Sequence, residues 1–277
     1  MLSIIFGIAS AGTWGAADFI GGLASRKTSP YRVLFLGELA GLIPFLTFAL
    51  LTREPIPTTA ELLWGALASL VGLSGLVFLY RALAEGQMSV AAPVSALFAA
   101  LIPVIFGLIT LGAPSFATFL GFGLAFAAVW FISQTEGTNG RSSFTDLRLP
   151  LLSGFFFGLY FVAIHKATLH AFFWPLVMAR LAGLLAFGSY ALVTRQPALP
   201  PREVWGLCLV NGVIDIAGNA FYVLSAQLGR IDVAAVLGAL YPASTVLLAW
   251  IFLKERITRL QSFGVLLAFA AIFLFTV

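Results

Sequence analysis

Ten apolar segments, joined by short polar connections, most constrain how this chain can fold. Each is close to the ~20 residues that a helix needs to cross the hydrocarbon core of a bilayer. Helices satisfy their own backbone hydrogen bonds in lipid, so segments of this length predict an all-α membrane protein with ten transmembrane helices. The segments are 2–24, 32–51, 62–83, 89–111, 115–134, 149–168, 173–193, 203–227, 231–253 and 258–276.

The composition supports this class and excludes several others. Of the 277 residues, 61% are hydrophobic and only 9% are charged, whereas about a quarter of the residues in a soluble domain are charged. No basic run indicates nucleic acid, and the single Cys208 excludes an intramolecular disulfide. The sequence contains no metal-ligand spacing, no phosphate-binding loop and no nucleophile set that its two histidines could complete. We therefore expect no enzyme and no cofactor.

The chain divides into two similar halves, 1–134 and 149–277, on either side of a polar linker at 135–148. Val90-Ala91-Ala92 is repeated as Val233-Ala234-Ala235, and the Leu-Ala-Gly-Leu of 39–42 is repeated at 181–184. Five spans per half is an odd number, so the second half should enter the membrane inverted. Inverted repeats are typical of secondary transporters, whose substrate site lies between the halves. We expect two inverted five-helix repeats around a central cavity.

These features resemble the EamA family of the drug/metabolite transporter superfamily. The resemblance covers the whole chain and includes the Val-Ala-Ala stretches that open the fourth and ninth spans, Leu240-Tyr241-Pro242, Lys254-Glu255-Arg256 and Gly264. It implies a cavity lined mainly by the first, third and fourth helices of each half, with the fifth and tenth spans at the periphery. The family usually carries the glutamate in both repeats, whereas the first repeat here has Gly112 in its place.

The eighth span has a polar stripe in its middle. Asn211, Asp215 and Asn219 follow one another at intervals of four residues, and Tyr222 comes three residues later. At 3.6 residues per turn these side chains share one face. A carboxylate at this depth costs roughly 2.5–3.5 kcal/mol on insertion scales, which favours a substrate or proton site. Hydrogen bonding between packed helices is the alternative interpretation.

Aromatic and polar residues on other spans complete the candidate substrate site. Trp14 and Asp18 lie one turn apart on the first span, where the alternative is an interfacial tryptophan and a carboxylate in water. Tyr80, Ser95 and Tyr241 belong to the third, fourth and ninth spans. Prolines at 93, 103 and 242 should break the hydrogen-bond ladders of the fourth and ninth spans and bend them around the cavity.

Glu38 in the second span and Arg180 in the seventh occupy equivalent positions of the two halves. Opposite charges at such positions predict a bridge or a gate between the halves. The alternative is that each side chain extends separately to the nearest headgroup layer. Glu38 is also a proton-coupling candidate, together with Asp215 and Asp18.

The resulting hypothesis is a secondary carrier for a small polar or amphipathic metabolite, such as an amino acid or another organic ion. It would work by alternating access, with proton coupling as a further hypothesis. Two alternatives stay open: a flippase for a lipid or a lipid-linked sugar, and a membrane interaction or sensor protein that transports nothing. The expected partners are a small-molecule substrate and the lipid bilayer, not nucleic acid, with the chain acting as a monomer or homodimer.

Two arguments disagree about the side of the membrane on which the termini lie. Connections after odd-numbered spans carry eleven Lys or Arg residues, against three after even-numbered spans. By the positive-inside rule, this places both termini outside, whereas similar ten-span carriers usually have both termini in the cytoplasm. We expect a multi-pass protein of the plasma (inner) membrane of a prokaryote.

Overall fold

A computed structural model describes residues 1–85, 88–132, 148–253 and 258–276, apart from the side chains of 80–85, 88–93, 245, 246, 249 and 253. The described residues form α-helices joined by turns and one 3-10 turn, and contain no strand. The helices are α1 (Leu2–Ser25), α2 (Pro30–Leu51), α3 (Thr59–Glu85), α4 (Met88–Leu111), α5 (Phe116–Ile132), α6 (Arg148–Ala167), α7 (Phe173–Thr194), α8 (Trp205–Leu228), α9 (Ile231–Gly238), α10 (Tyr241–Leu253) and α11 (Arg259–Leu274).

Seven of the described helices are long and apolar enough to span a membrane, namely α1 to α4 and α6 to α8. Three further apolar stretches are shorter: Phe116–Ile132, Ile231–Ser244 and Arg259–Leu274. The prediction of an all-helical, multi-pass membrane protein is confirmed. Ten crossings and an inverted second half stay predictions, and the linker predicted for 135–148 lies outside the described residues, except that Arg148 begins α6.

The prolines act differently in the two segments where breaks were predicted. The ninth segment is divided into α9 and α10, with Ala239 and Leu240 in the turn between them and Pro242 in the first turn of α10. Proline lacks an N–H donor and its ring clashes with the preceding turn, so a break before it is expected. The fourth segment is instead one continuous helix from Met88 to Leu111, so the prolines interrupt its hydrogen-bond ladder without ending the helix, and its bend around the cavity stays a prediction. Removing single hydrogen bonds at Pro93 and Pro103 leaves the rest of that ladder intact.

Helices of the first half pack against helices of the second half in matched pairs. Helix α1 packs against α8, and α3 packs against α6. The second helices, α2 and α7, contact each other, as do α5 and α11, and α4 and α9. If each helix is replaced by its equivalent in the other half, the same set of pairs results. The arrangement brings the middles of α1, α2, α3, α6, α7 and α8 around a common space.

The backbones of the two halves approach closely where α2 meets α8. A Cβ atom added to Gly212 would lie 2.5 Å from the carbonyl oxygen of Gly37, which is too near for any real side chain. The two backbones are therefore in direct contact, and α2 leaves no room for a side chain at position 212. Small residues at such crossings are the usual means by which membrane helices pack closely.

Replacing Gly212 with alanine is expected to destabilise the protein by about 1–3 kcal/mol, the usual cost of overpacking. The methyl group would meet a backbone atom, which cannot rotate away. Thermal unfolding of the purified protein measures the effect, with Gly206→Ala on the same helix as the control, because a Cβ there has no neighbour within 4 Å. Equal melting temperatures for the two variants would show that the crossing is not tight.

Candidate functional site

A cavity of about 160 Å³ lies where the middles of the helices from both halves meet. Most of its wall is apolar, and a few charged and polar side chains are grouped on one part of it. The wall consists of Trp14, Asp18, Glu38, Ser69, Gly72, Leu73, Leu76, Leu79, Ala99, Phe157, Tyr160, Phe161, Ile164, Leu176, Ala179, Arg180, Asp215, Asn219, Ala239 and Tyr241. The space is large enough for several waters or a small ligand.

Three charged residues form an ion triad in this wall, defined as Glu38, Arg180 and Asp215. Arg180 of α7 donates one hydrogen bond to Glu38 Oε1 at 2.9 Å and another to Asp215 Oδ2 at 2.7 Å. Glu38 and Arg180 are only 9% and 8% exposed, whereas the Asp215 side chain is 34% exposed. The triad joins α2 of the first half to α7 and α8 of the second. Glu38 and Arg180 therefore do not extend separately to the headgroups; they meet inside the protein.

A glycine on α7 makes room for the triad, because a Cβ on Gly183 would lie 3.0 Å from Glu38 Oε2. The equivalent glycine of α2, Gly41, makes room mainly for Ile216 of α8, whose Cγ2 is the atom nearest to a Cβ built there. The repeated Leu-Ala-Gly-Leu motif thus places a glycine against the opposite half on both helices.

Asn219 and Tyr160 extend the polar network from the triad. The Asn219 side-chain amide donates to the backbone oxygen of Asp215 at 2.7 Å and to its Oδ2 at 3.0 Å. The Tyr160 hydroxyl on α6 in turn donates to Asn219 Oδ1. The sequence analysis did not identify Tyr160, although a tyrosine in the middle of an apolar span was a signal for it.

Asp18 and Trp14 face the same cavity from α1. Asp18 is exposed on the cavity wall and, within the described part of the chain, makes no hydrogen bond or ion pair. The Trp14 ring lies against the rings of Phe161 and Tyr222, with centroid distances of 5.7 and 5.8 Å. A carboxylate without a partner therefore lies one turn from a wall of aromatic rings.

Three residues of the predicted site lie outside the cavity wall. Asn211 is buried and donates to the backbone oxygen of Ala17 on α1 at 2.6 Å. Tyr222 is fully buried, and its hydroxyl donates to the oxygen of Phe161 at 3.1 Å. Ser95 is buried against Ser153, with 2.8 Å between the two hydroxyls. All three connect helices, which was the alternative interpretation for the stripe on α8.

The remaining predicted residues are on α10 and α3. Tyr241 lines the cavity next to the turn between α9 and α10. The side chain of Tyr80 lies outside the described residues, as does Glu255 of the family motif. Gly112 has a φ of 77°, a backbone conformation that glycine adopts readily, and its carbonyl accepts a hydrogen bond from Arg230 at 2.8 Å.

The described residues include no group of three or more His, Cys, Asp or Glu side chains placed to hold a metal ion. The second helix of each half contributes charge to the wall, which the family resemblance did not imply. Helices α5 and α11 pack together, and no residue of either lines the cavity.

An all-helical, multi-pass membrane protein with a charged cavity between its halves has the architecture of a membrane transporter. The model of the EamA-like transporter family matches residues 1–134 and again residues 147–277. The chain belongs to the EamA-like transporter family, within the drug/metabolite transporter superfamily.

Comparison with solved structures supports the fold. A protein of known crystal structure is similar to this chain with a TM-score of 0.78 and 16% sequence identity. The similarity covers 99% of this chain and 96% of the other. No functionally curated protein matches the chain.

Proposed function

We propose that this protein is a secondary carrier that moves a small polar or amphipathic metabolite across the plasma (inner) membrane of a prokaryote by alternating access. The observation that carries the proposal is the cavity itself, with a buried ion triad made from both halves. Polar and charged groups at this depth are costly and usually mark a substrate or ion path. The two halves would be inverted five-helix units that rock about the cavity. The matched pairing of their helices supports this arrangement.

In this proposal the Glu38–Arg180 pair acts as a gate or bridge between the halves. It connects α2 to α7, equivalent helices that both contribute charge to the wall. When the halves rock, this contact must move or open. The energy of the pair would then contribute to the difference between the two access states.

Proton coupling is the second element of the proposal, with Asp215, Asp18 and Glu38 as the candidate proton carriers. Asp215 and Glu38 are each bonded to Arg180 in the state described. Asp18 has no such partner among the described residues and is the more available site. A carboxylate whose solvation differs between access states can bind a proton in one state and release it in the other.

The openness of the cavity argues against a protein that transports nothing. A sensor whose polar stripe only holds helices together would have that stripe packed and dry. Asp215 is instead one-third exposed and Asp18 is exposed, both on the cavity wall. The flippase alternative and the choice between monomer and homodimer stay predictions.

Uptake into proteoliposomes tests the proposal. The purified chain, supplied with a metabolite mixture, is expected to concentrate one or more compounds, with uptake faster under an imposed pH gradient. Asp215→Asn is expected to lower this rate about tenfold or more, since a hydrogen bond to a charged group is worth about 1.5–3 kcal/mol. Glu203→Gln, at an exposed residue before α8, is the matched control.

Each part of the proposal can fail separately. If Asp215→Asn retains both the rate and the response to the pH gradient, the proton-site proposal at this residue is wrong. If no metabolite enters proteoliposomes that contain the wild-type chain, the carrier proposal itself is wrong.

A further inference from the structure

We infer that the cavity binds an amphipathic organic cation, with its ammonium group at Asp18 against the face of Trp14. This inference rests on the proposed function, because it assigns a substrate class to the same cavity. The observations that support it are the charges on the wall, the hydrogen-bonding state of the polar groups and the aromatic rings beside Asp18.

The wall of the cavity is acidic. Among its described residues are three carboxylates, on Asp18, Glu38 and Asp215, and one cation, Arg180. With all four ionised, the ion triad has a net charge of minus one, and Asp18 adds a second negative charge. Charges act more strongly here than in bulk water, because the protein and lipid around the cavity have a low dielectric constant. A positively charged ligand would therefore be attracted, and an anionic one repelled.

The donors and acceptors of the wall point to the same ligand class. Each terminal nitrogen of Arg180 already donates to a carboxylate, and the Asn219 amide already donates to Asp215. The Tyr160 hydroxyl donates to Asn219. Asp18 is the carboxylate of this wall whose oxygens accept no hydrogen bond from a described residue. An ammonium group has only donors and fits these oxygens, whereas a carboxylate ligand would have only acceptors to offer and would lie among carboxylates of the same charge.

Trp14 provides a second contact for a cation. It lies one turn from Asp18 on α1, about 6 Å along the helix axis at 1.5 Å per residue. Its ring is held in place by close approach: a Cβ on Gly218 would lie 2.8 Å from Trp14 Nε1, and a Cβ on Gly238 would lie 3.0 Å from Trp14 Cζ3. A tryptophan face attracts cations within about 6 Å.

The rest of the wall favours an organic cation over an inorganic ion. Aliphatic side chains of α3 and rings of α6 form the surface around the charged part, including Leu73, Leu76, Leu79 and Phe157. An inorganic cation would be surrounded here mainly by carbon. A ligand with an apolar body and one ammonium group would bury its body against this surface.

Three probes of similar size separate the ligand classes: phenethylamine as a cation, phenylalanine as a zwitterion and 3-phenylpropionate as an anion. Binding to the purified wild-type chain is measured by thermal stabilisation, and uptake is measured in proteoliposomes. We expect phenethylamine to bind and to be taken up, and the other two to bind at least about tenfold more weakly, which corresponds to 1.4 kcal/mol.

Two variants test the residues. Asp18→Asn is expected to weaken phenethylamine binding about tenfold or more, and Trp14→Leu about two- to fivefold, from the usual strength of a cation–π contact. Glu203→Gln should bind as the wild type does. Asp18 makes no bond within the described residues, so Asp18→Asn breaks no contact of the fold, and circular dichroism and gel filtration of each variant check its folding.

The inference is overturned if phenylalanine or 3-phenylpropionate binds as tightly as phenethylamine, or if folded Asp18→Asn keeps wild-type affinity for phenethylamine. It is also overturned if phenethylamine neither binds nor enters proteoliposomes. In each case the carrier proposal still stands if the wild-type chain takes up any other metabolite. That proposal fails only when nothing is transported.

Discussion

Arg180→Met is expected to lower the free energy of unfolding by about 3–5 kcal/mol, the usual result of removing one partner from a buried ion pair. The substitution leaves Glu38 and Asp215 facing the same space without a counter-ion, where Arg180 Nη1 and Nη2 now bond them at 2.9 and 2.7 Å. Both carboxylates lie at the junction of the two halves. Uptake into proteoliposomes is expected to be lost with the bridge.

A triple variant separates stability from function. Arg180→Met combined with Glu38→Gln and Asp215→Asn removes all three charges, and replacing a complete buried ion network with neutral groups is often neutral or stabilising. We therefore expect the triple variant to recover most of the melting temperature of the wild type but none of its uptake. If Arg180→Met alone keeps the wild-type melting temperature, the triad does not hold the halves together.

Glu54→Ala is expected to lower the free energy of unfolding by about 2–3 kcal/mol, by removing an N-terminal cap from α7. Phe172 at the start of α7 provides no side-chain cap of its own. The Glu54 carboxylate accepts hydrogen bonds from the backbone N–H groups of Phe172, Phe173 and Trp174, the last two at 2.7 and 3.3 Å. Without this carboxylate, three N–H donors lose their acceptor.

The Glu54 contact connects the halves as well as capping a helix. Glu54 lies in the turn between α2 and α3. A second contact between the halves lies nearby in the sequence, with Glu61 Oε1 of α3 2.8 Å from Nδ1 of His170, which precedes α7.

Glu54→Gln should lower the free energy of unfolding less than Glu54→Ala, because the amide oxygen of glutamine can still accept hydrogen bonds from the backbone. Thermal unfolding measures both variants, with Glu203→Ala as an exposed control. A loss below about 0.5 kcal/mol for Glu54→Ala, within the range of ordinary surface substitutions, would contradict a capping role.

The stripe on α8 shows how far side-chain periodicity can predict a site. The four residues were assigned to one face, yet only Asp215 and Asn219 line the cavity. At about 100° per residue, Asp215 and Asn219 are rotated about 40° and 80° from Asn211, whereas Tyr222 is rotated only about 20°. Because of this rotation, Asn211 and Tyr222 face packed helices, whereas Asp215 and Asn219 face the cavity. Periodicity predicts a shared stripe, but the neighbouring helices divide it.

The pairing of Glu38 with Arg180 was one of two possibilities before the fold was known. Equivalent positions in two repeats predict a pair only if the second helices of the halves meet, and both residues lie near span ends, where they could reach headgroups. Helices α2 and α7 do meet, and Gly183 lets the Glu38 side chain approach α7. The addition of Asp215 to the pair depends on α8 packing against α2 and on Arg180 reaching Asp215 from α7, which no spacing in the sequence predicts.

The sequence by itself determined the class of protein and its helical segments, because the length of apolar runs and the scarcity of charge are local properties that the bilayer imposes directly. Its resemblance to a family came from short motifs, which can also be read without the fold. The sequence also located the costly charges within those segments. Only the tertiary structure decided which charges are paired, which carboxylate has no partner among the described residues, and that Glu54 caps a helix 118 residues away. These outcomes depend on contacts between helices that are distant in the sequence, since a hydrogen bond or an ion pair forms only where the fold brings donor and acceptor within about 3–4 Å of each other.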